Sequence, residues 1–245
     1  MDGLVLALFL AATFLGGLTS GLAGFAMGLV VSGVWLHIIT PIQTATLIVG
    51  YGLVTQSYGI WKLRHALDWR KVTPFIIGGA FGVPLGTLLL AYINPAYLRT
   101  GIGVLLVLYS VYGLARPAFR PVKAGVAADV AIGFFNGMLG GLTGLVGIIL
   151  TIWCQLRGVA KDAQRSIFQP VTLAAIVLSL VSLSFAGAIT VETVKLYLLG
   201  LPFLLAGLWS GFKLYGRLDD AAFRKVILLL LLVSGLALIV PKGGL

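Results

Sequence analysis

Residues 14–28 read F-L-G-G-L-T-S-G-L-A-G-F-A-M-G. Five glycines (Gly16, Gly17, Gly21, Gly24 and Gly28), with Thr19 and Ser20 among them, lie inside an apolar run that extends over residues 3–39. A helix in lipid keeps its backbone groups paired, so this density of glycine and hydroxyl predicts a place where pairing is interrupted. The stretch has an echo at residues 134–145, F-F-N-G-M-L-G-G-L-T-G-L. A shift of 120 positions lays Phe14 on Phe134, Gly17 on Gly137, Gly21 on Gly141 and Gly24 on Gly144. One glycine break in each half of an apolar chain is the sequence pointer to a transporter binding site.

The surrounding composition sets the class. The chain has 245 residues, 60% of them hydrophobic and 10% charged, with a mean hydropathy of +1.09. These values predict an all-α polytopic membrane protein. The opening Met-Asp-Gly has no Lys or Arg before the first apolar run, which argues against a signal peptide. A single cysteine, Cys154, excludes an internal disulfide and a Cys-based metal cluster. The net charge of +10 comes from residues grouped in loops between apolar runs, which reads as cytoplasmic loops and not as a nucleic-acid surface.

Residues 3–39 are about twice the roughly 20 that one span needs. Segments follow at about 42–61, 74–93 and 98–115, with a basic loop over 62–71. Residues 116–124 form a linker. The second half repeats the order, with a long run at 125–156, a basic loop holding Arg157, Lys161 and Arg165, and segments near 167–187, 194–212 and 226–240. Late in each half the repeat persists at an offset of 125, pairing Gly82 with Gly207, Gly86 with Gly211 and Arg99 with Arg224. This predicts two membrane repeats, 1–115 and 125–245, each a glycine-broken helical hairpin followed by three spanning helices. If each long run enters and leaves on one side, 14 of the 17 Lys and Arg residues share a side, and only Arg99, Lys195 and Lys242 lie opposite. If each run crosses once, the split is 9 to 8. The positive-inside rule selects the first arrangement, which inverts the two halves and puts both termini outside. It leaves open whether the arms cross fully or dip in and return.

The candidate site follows from the breaks. A helix that restarts inside the membrane offers free N–H groups and the positive end of its dipole, which suit an anion. The residues assigned to it are Thr19, Ser20, Gly21, Gly24, Asn136, Gly141, Thr143 and Gly144, with Arg165 as a bidentate fork for a sulfonate or carboxylate and Gln169 as an amide in a span. Each has a plainer reading. Gly17/Gly21, Gly24/Gly28 and Gly137/Gly141 are also small-xxx-small packing pairs. Arg165 also reads as an ordinary loop arginine, and Gln56 and Gln169 as interhelical hydrogen-bonding groups. No carboxylate falls deep in a span, and only Asp129 lies near an apolar run, so a cation or proton relay is unsupported. No H-E-x-x-H, paired carboxylates or Ser/His pair marks an intramembrane enzyme. A membrane scaffold or assembly subunit that uses the glycines for packing is the alternative to a transporter.

Taken together, Gly17-Leu-Thr-Ser-Gly-Leu-Ala-Gly24, Gly137-Met-Leu-Gly-Gly-Leu-Thr-Gly144, Gln43-Thr-Ala-Thr46, Ala163-Gln-Arg-Ser166, Asp68-Trp69-Arg70 and Gly82-Val-Pro-Leu-Gly86 resemble the TauE/SafE (TSUP) sulfite exporter family. The order and spacing of these motifs are more specific than any one of them, and they cover essentially the whole chain. The resemblance implies movement of a small sulfur-containing or carboxylate anion, such as sulfite or sulfoacetate, across a bacterial inner membrane. The implied partners are that anion and the lipid bilayer, without nucleic acid or cofactor. Phe25 and Met27 stand where the family's first break is usually richer in glycine, which implies a narrower or more apolar first half-site.

Overall fold

The computed structural model describes residues 3–25, 27–89, 95–115, 121–143, 147–185 and 189–239. The described residues form ten α-helices in chain order: α1 Gly3–Ala23, α2 Met27–Ile38, α3 Pro41–Lys62, α4 Trp69–Leu89, α5 Pro95–Ala115, α6 Val126–Thr143, α7 Ile148–Leu156, α8 Lys161–Phe185, α9 Val191–Tyr215 and α10 Asp220–Ile239. A single 3₁₀ turn, Arg64–Ala66, follows α3. Among the described residues, three stretches are long and apolar enough to cross a membrane: Gly3–Ala23, Lys161–Leu180 and Val191–Tyr215. Large apolar side chains point outward, among them Leu4 on α1, Phe81 and Leu88 on α4, Leu108 on α5, Leu198 on α9 and Val233 on α10. An outer surface of this kind is stable against lipid and not against water. The chain is a multi-pass membrane protein.

Local chemistry explains several helix starts. At α3, the Thr40 hydroxyl accepts from the Gln43 N–H at 3.3 Å and the Gln43 side chain accepts from the Thr40 N–H at 3.1 Å. This is a reciprocal capping box, with Pro41 in the first turn. Thr190 caps α9 through the Thr193 N–H at 3.2 Å. Two starts differ from the sequence expectation. α4 begins at Trp69 and takes in Pro74 and Pro84, and α8 begins at Lys161, not near 167. Both prolines lie beyond the first turn, so each removes one backbone hydrogen bond from α4, a loss that helices in a membrane tolerate where neighbouring groups serve the freed carbonyl. The early start of α8 carries Arg165 out of the expected loop and into a helix.

The chain clusters into two compact units, each drawing helices from both sequence halves. The first comprises residues 1–68 and 165–218, and the second residues 69–164 and 219–245. In the first unit, α1 and α9 run in the same direction. Phe9 lies beside Gly200, Gly17 beside Leu204, and Gly21 beside Leu208 and Gly211. α3 follows them, with Tyr51, midway along it, stacked on Tyr197 and Tyr58 against Phe212 near the end. α8 runs the other way, since Ile176 meets Gly52 and Gln169 meets Gly59. α2 doubles back along α1, so that Trp35 stacks on Phe9 at 5.1 Å and Val31 packs on Gly16. The first hairpin therefore opens at the end where α3 and α9 begin. The opposite end carries Lys62 at the close of α3 and Arg64 just past it, with Lys213 and Arg217 at the close of α9.

In the second unit, α4 and α6 run in parallel. A Cβ at Gly78, Gly82 or Gly86 would run into the carbonyl oxygen of Val130, Phe134 or Met138 respectively. This glycine ladder at four-residue spacing lets two backbones touch. α5 and α10 are antiparallel, with Gly103 against Gly235 and Ile239 and Gly113 against Leu228. α7 returns along α6, and Arg157, just past α7, binds Asp129 in the first turn of α6 through both carboxylate oxygens at 2.8 and 2.9 Å. The second hairpin thus also opens at one end, the end that carries Arg70, Lys71, Arg157 and Lys161.

The packing repeats in register. Gly207 meets the carbonyl of Phe14 in the first unit, as Gly82 meets that of Phe134 in the second. Gly211 with Leu18 matches Gly86 with Met138, and Gly17 with Leu204 matches Gly137 with Gly79. Every matched pair is related by 120 positions on one helix and 125 on the other, the two offsets read in the sequence.

Candidate functional site

The first break is a single sharp feature. α1 keeps its hydrogen-bond ladder as far as the Gly24 N–H, which reaches the Ser20 carbonyl at 2.8 Å. Gly24 then turns the chain with φ of +91°. A left-handed residue ends a helix, and glycine holds that conformation without a Cβ penalty. Space excludes a side chain as well, because a Cβ there would strike the ring of Phe168 and lie 3.3 Å from Nε of Arg165. α2 begins at Met27.

Arg165 organises the end of α1. It lies in the second turn of α8 and is 0% exposed, so it is a buried side chain and not the loop arginine of the plainer reading. Nη1 donates to the Gly21 carbonyl at 2.7 Å and Nη2 to the Ser20 carbonyl at 3.3 Å. These carbonyls belong to the last turn of α1, where the dipole is negative and backbone donors run out; the Ser20 carbonyl takes the last of them, the Gly24 N–H, as well as Nη2. The guanidinium is also flanked by the rings of Phe212 at 4.3 Å and Tyr215 at 4.6 Å, close enough for cation–π attraction. With its amide turned to satisfy both ends, Gln169 accepts from Nη2 at 2.9 Å and donates to the Gly59 carbonyl at 3.3 Å. From α3, Gln56 donates to the Gly24 carbonyl at 2.9 Å. The α1 carbonyls at the break thus meet donors from α3 and α8. Gln56 is six residues from Lys62, the last residue of α3, about 9 Å along the axis at 1.5 Å per residue, so the break lies toward the basic end of this unit.

The second break is handled differently. Gly147 has φ of +94° and precedes α7. The side-chain oxygen of Asn136, just past the middle of α6, accepts from the N–H of Gly147 at 3.1 Å and of Leu150 at 3.5 Å. An amide oxygen therefore caps the restarting helix.

Of the residues singled out by sequence, Ser20, Gly21, Gly24, Arg165 and Gln169 converge at the first break. Thr19 sits in the same turn as Ser20, with its hydroxyl bonded to the Leu15 and Gly16 carbonyls of its own helix, both at 3.0 Å. Gly21 serves two roles, since its Cα packs on α9 while its carbonyl accepts from Arg165. Asn136 stands at the second break. Gly141 and Thr143 fall in the last turn of α6, their side chains outside the described residues, and Gly144 lies outside them altogether. Missing from the sequence-derived set are Phe212 and Tyr215, which box the guanidinium from a helix 47 residues or more further along the chain, and Gln56, a polar residue in a span whose partner sequence alone does not name. A groove of about 510 Å³ lined by Thr40, Ile42, Gln43 and residues 190–193 lies where α3 and α9 begin. It is at the far end of these helices from Arg165 and holds none of the site residues.

No curated protein and no solved structure matches this chain. A family model does: the model described as sulfite exporter TauE/SafE matches residues 9–238, a span that includes both glycine breaks, Arg165 and Gln169. The chain belongs to the TauE/SafE sulfite exporter family.

Proposed function

We propose that this protein carries small anions across a bilayer, with sulfur oxyanions and organosulfonates such as sulfite and sulfoacetate as its substrates. The family is one of sulfite-type anion exporters, and the observation that carries the reading is the polar wall of the first break. Arg165, Gln56 and Gln169 are all at most 4% exposed inside helices that are otherwise apolar. A buried guanidinium and two amides are costly in that setting. A scaffold that uses glycines only for close helix approach has no need of them. The glycine ladders along α9 and α4 serve packing under either reading, so the scaffold alternative rests on those and not on the break. Ser20, Gly24, Arg165 and Gln169, with Thr19 and Gly21 beside them, form the half-site at the first break. Asn136, Gly141, Thr143 and Gly144 form its counterpart in the second.

We further infer two inverted repeats, residues 1–115 and 125–245, joined by a cytoplasmic linker over 116–124. The support comes from each unit taken alone. The first hairpin opens away from its basic end and the second opens at its basic end, so the positive-inside rule turns one outward and the other inward. Both termini then lie outside a bacterial inner membrane. Uptake of radiolabelled sulfite and sulfoacetate into liposomes containing the purified protein, compared with protein-free liposomes, tests the function. Identical flux in the two preparations for both anions would reject it.

A further inference from the structure

The second hairpin carries polar atoms that no contact described above employs. Two backbone N–H groups fix the orientation of the Asn136 amide, because only its oxygen can accept them. The group left over is the NH₂. Asn136 is 1% exposed, and Nδ2 has no hydrogen-bond partner. Thr151, in the first turn of α7 and 0% exposed, has an unpartnered hydroxyl. Elsewhere in this chain Thr13, Thr46 and Thr73 return that proton to the carbonyl four residues back. Gln155, one turn further, accepts the Tyr109 hydroxyl on its amide oxygen at 3.0 Å, while its Nε2 is buried and unpartnered. Gly147, Thr151 and Gln155 follow one another at four-residue intervals, which puts them along one face of α7.

Buried polar groups are nearly always satisfied, and an unmet donor lowers stability. Two on the nine-residue α7, with a third on α6 where Asn136 caps it, call for an acceptor. The acceptor atoms of both amides are already engaged, so the groups still to be met are Nδ2, the Thr151 hydroxyl and Nε2, all able to donate. An oxyanion accepts hydrogen bonds at every oxygen and suits such a row. A cation does not. We propose that Asn136, Thr151 and Gln155 form a donor track along α7 that passes an oxyanion between the second break and the end of the hairpin marked by Arg157 and Asp129. The track rests on the anion-transporter reading and adds Thr151 and Gln155 to its substrate-contacting residues.

Two near-isosteric substitutions test it. Asn136→Asp keeps an oxygen for the Gly147 and Leu150 N–H groups, and a carboxylate suits a helix N-terminus. It replaces the free NH₂ with an acceptor that repels an anion. Thr151→Val keeps the shape and removes only the hydroxyl. The measurements are uptake of radiolabelled sulfite by liposomes containing each variant, and the unfolding temperature in detergent with and without sodium sulfite. Asn136→Asp should lower sulfite uptake at least about tenfold, the equivalent of one charge-assisted hydrogen bond. Thr151→Val should lower it several-fold while unfolding no earlier than wild type in sulfite-free detergent, because no protein partner is lost. Both should blunt the stabilisation that sulfite confers on wild type. Wild-type uptake with undiminished uptake by Thr151→Val and by folded Asn136→Asp removes the track alone. A Thr151→Val protein that unfolds earlier than wild type without sulfite, and is stabilised by sulfite as much as wild type, also overturns it. Wild-type liposomes that take up no sulfite remove the transporter reading and the track with it.

Discussion

Replacing Arg165 with lysine keeps the charge and removes the fork. The guanidinium makes two hydrogen bonds to α1 carbonyls, takes the Gln169 amide oxygen, and lies against two aromatic rings. A lysine ammonium is a compact point charge that cannot span both carbonyls and stack on the rings in one pose. The loss of one charge-assisted bond is worth about 1.5–3 kcal/mol, and partial loss of the ring contacts about 0.5–1 kcal/mol. The sum is about 2–4 kcal/mol, or roughly 30- to 1000-fold in the folding equilibrium at 1.36 kcal/mol per decade. For a chain of this size each kcal/mol moves the midpoint by roughly 2–4 °C, so Arg165→Lys should unfold about 4–16 °C below wild type in detergent. Arg165→Gln, which removes the charge as well, should be less stable still, because two buried carbonyls are left short of donors. Unfolding followed by tryptophan fluorescence reads the difference. A lysine variant within a degree of wild type would refute the claim that the guanidinium holds the end of α1 in place.

Gly24→Ala combines a left-handed backbone with a Cβ against the Phe168 ring; it should cost about 2–4 kcal/mol from strain and overpacking and remove transport, as a thermal midpoint and a liposome flux assay on the same preparation would report. Gly207→Val and Gly82→Val each drive a side chain into a facing carbonyl, of Phe14 and Phe134 respectively, and should reduce the yield of folded protein by similar amounts; a mild effect of one beside loss of the other, scored by size-exclusion profile, would show that the two packings are not equivalent. A cysteine placed at exposed Gly158 should react with an impermeant maleimide from the cytoplasmic side, with the buried native Cys154 giving a low background; labelling from the opposite side alone would reverse the topology.

Much of the fold was legible because its signals are periodic or compositional. The glycine offsets of 120 and 125 return as matched backbone contacts, Gly207 on Phe14 and Gly82 on Phe134, since a glycine at close approach leaves a sequence mark that a leucine in ordinary packing does not. The hairpin reading came from the charge split, and the paired ends Phe9 with Trp35 and Asp129 with Arg157 agree with it. Boundaries were harder. Pro74 read as the start of a helix that in fact begins at Trp69, and Arg165 as part of a loop, because a proline and a loop-like run of polar residues compete locally with a helix that tertiary contacts sustain. At the site, Gly24 and Arg165 were visible as unusual residues in unusual places. Phe212 and Tyr215 were not, since an aromatic residue on an apolar helix carries no mark of what it faces. Thr151 and Gln155 were equally silent until burial and partners could be counted.

A break within a membrane helix creates two sets of unmatched groups, the carbonyls of the arm that ends and the N–H groups of the arm that begins. The two hairpins meet that problem from opposite sides. At the first, donors on Arg165 and Gln56 serve the carbonyls at the end of α1. At the second, an acceptor on Asn136 serves the N–H groups at the start of α7. The partners differ in origin as well as in polarity. Asn136 belongs to the hairpin it caps, so the second break is closed within its own repeat. Arg165 belongs to α8, in the other sequence half from α1, so closure of the first break depends on where α8 stands against α1. A shift of α8 along its axis by one residue, about 1.5 Å, is enough to draw the fork off one carbonyl and uncover the negative end of α1. Closure of the first break therefore depends on the register of α8 against α1 in a way that closure of the second does not, while the glycine contacts seat α1 on α9.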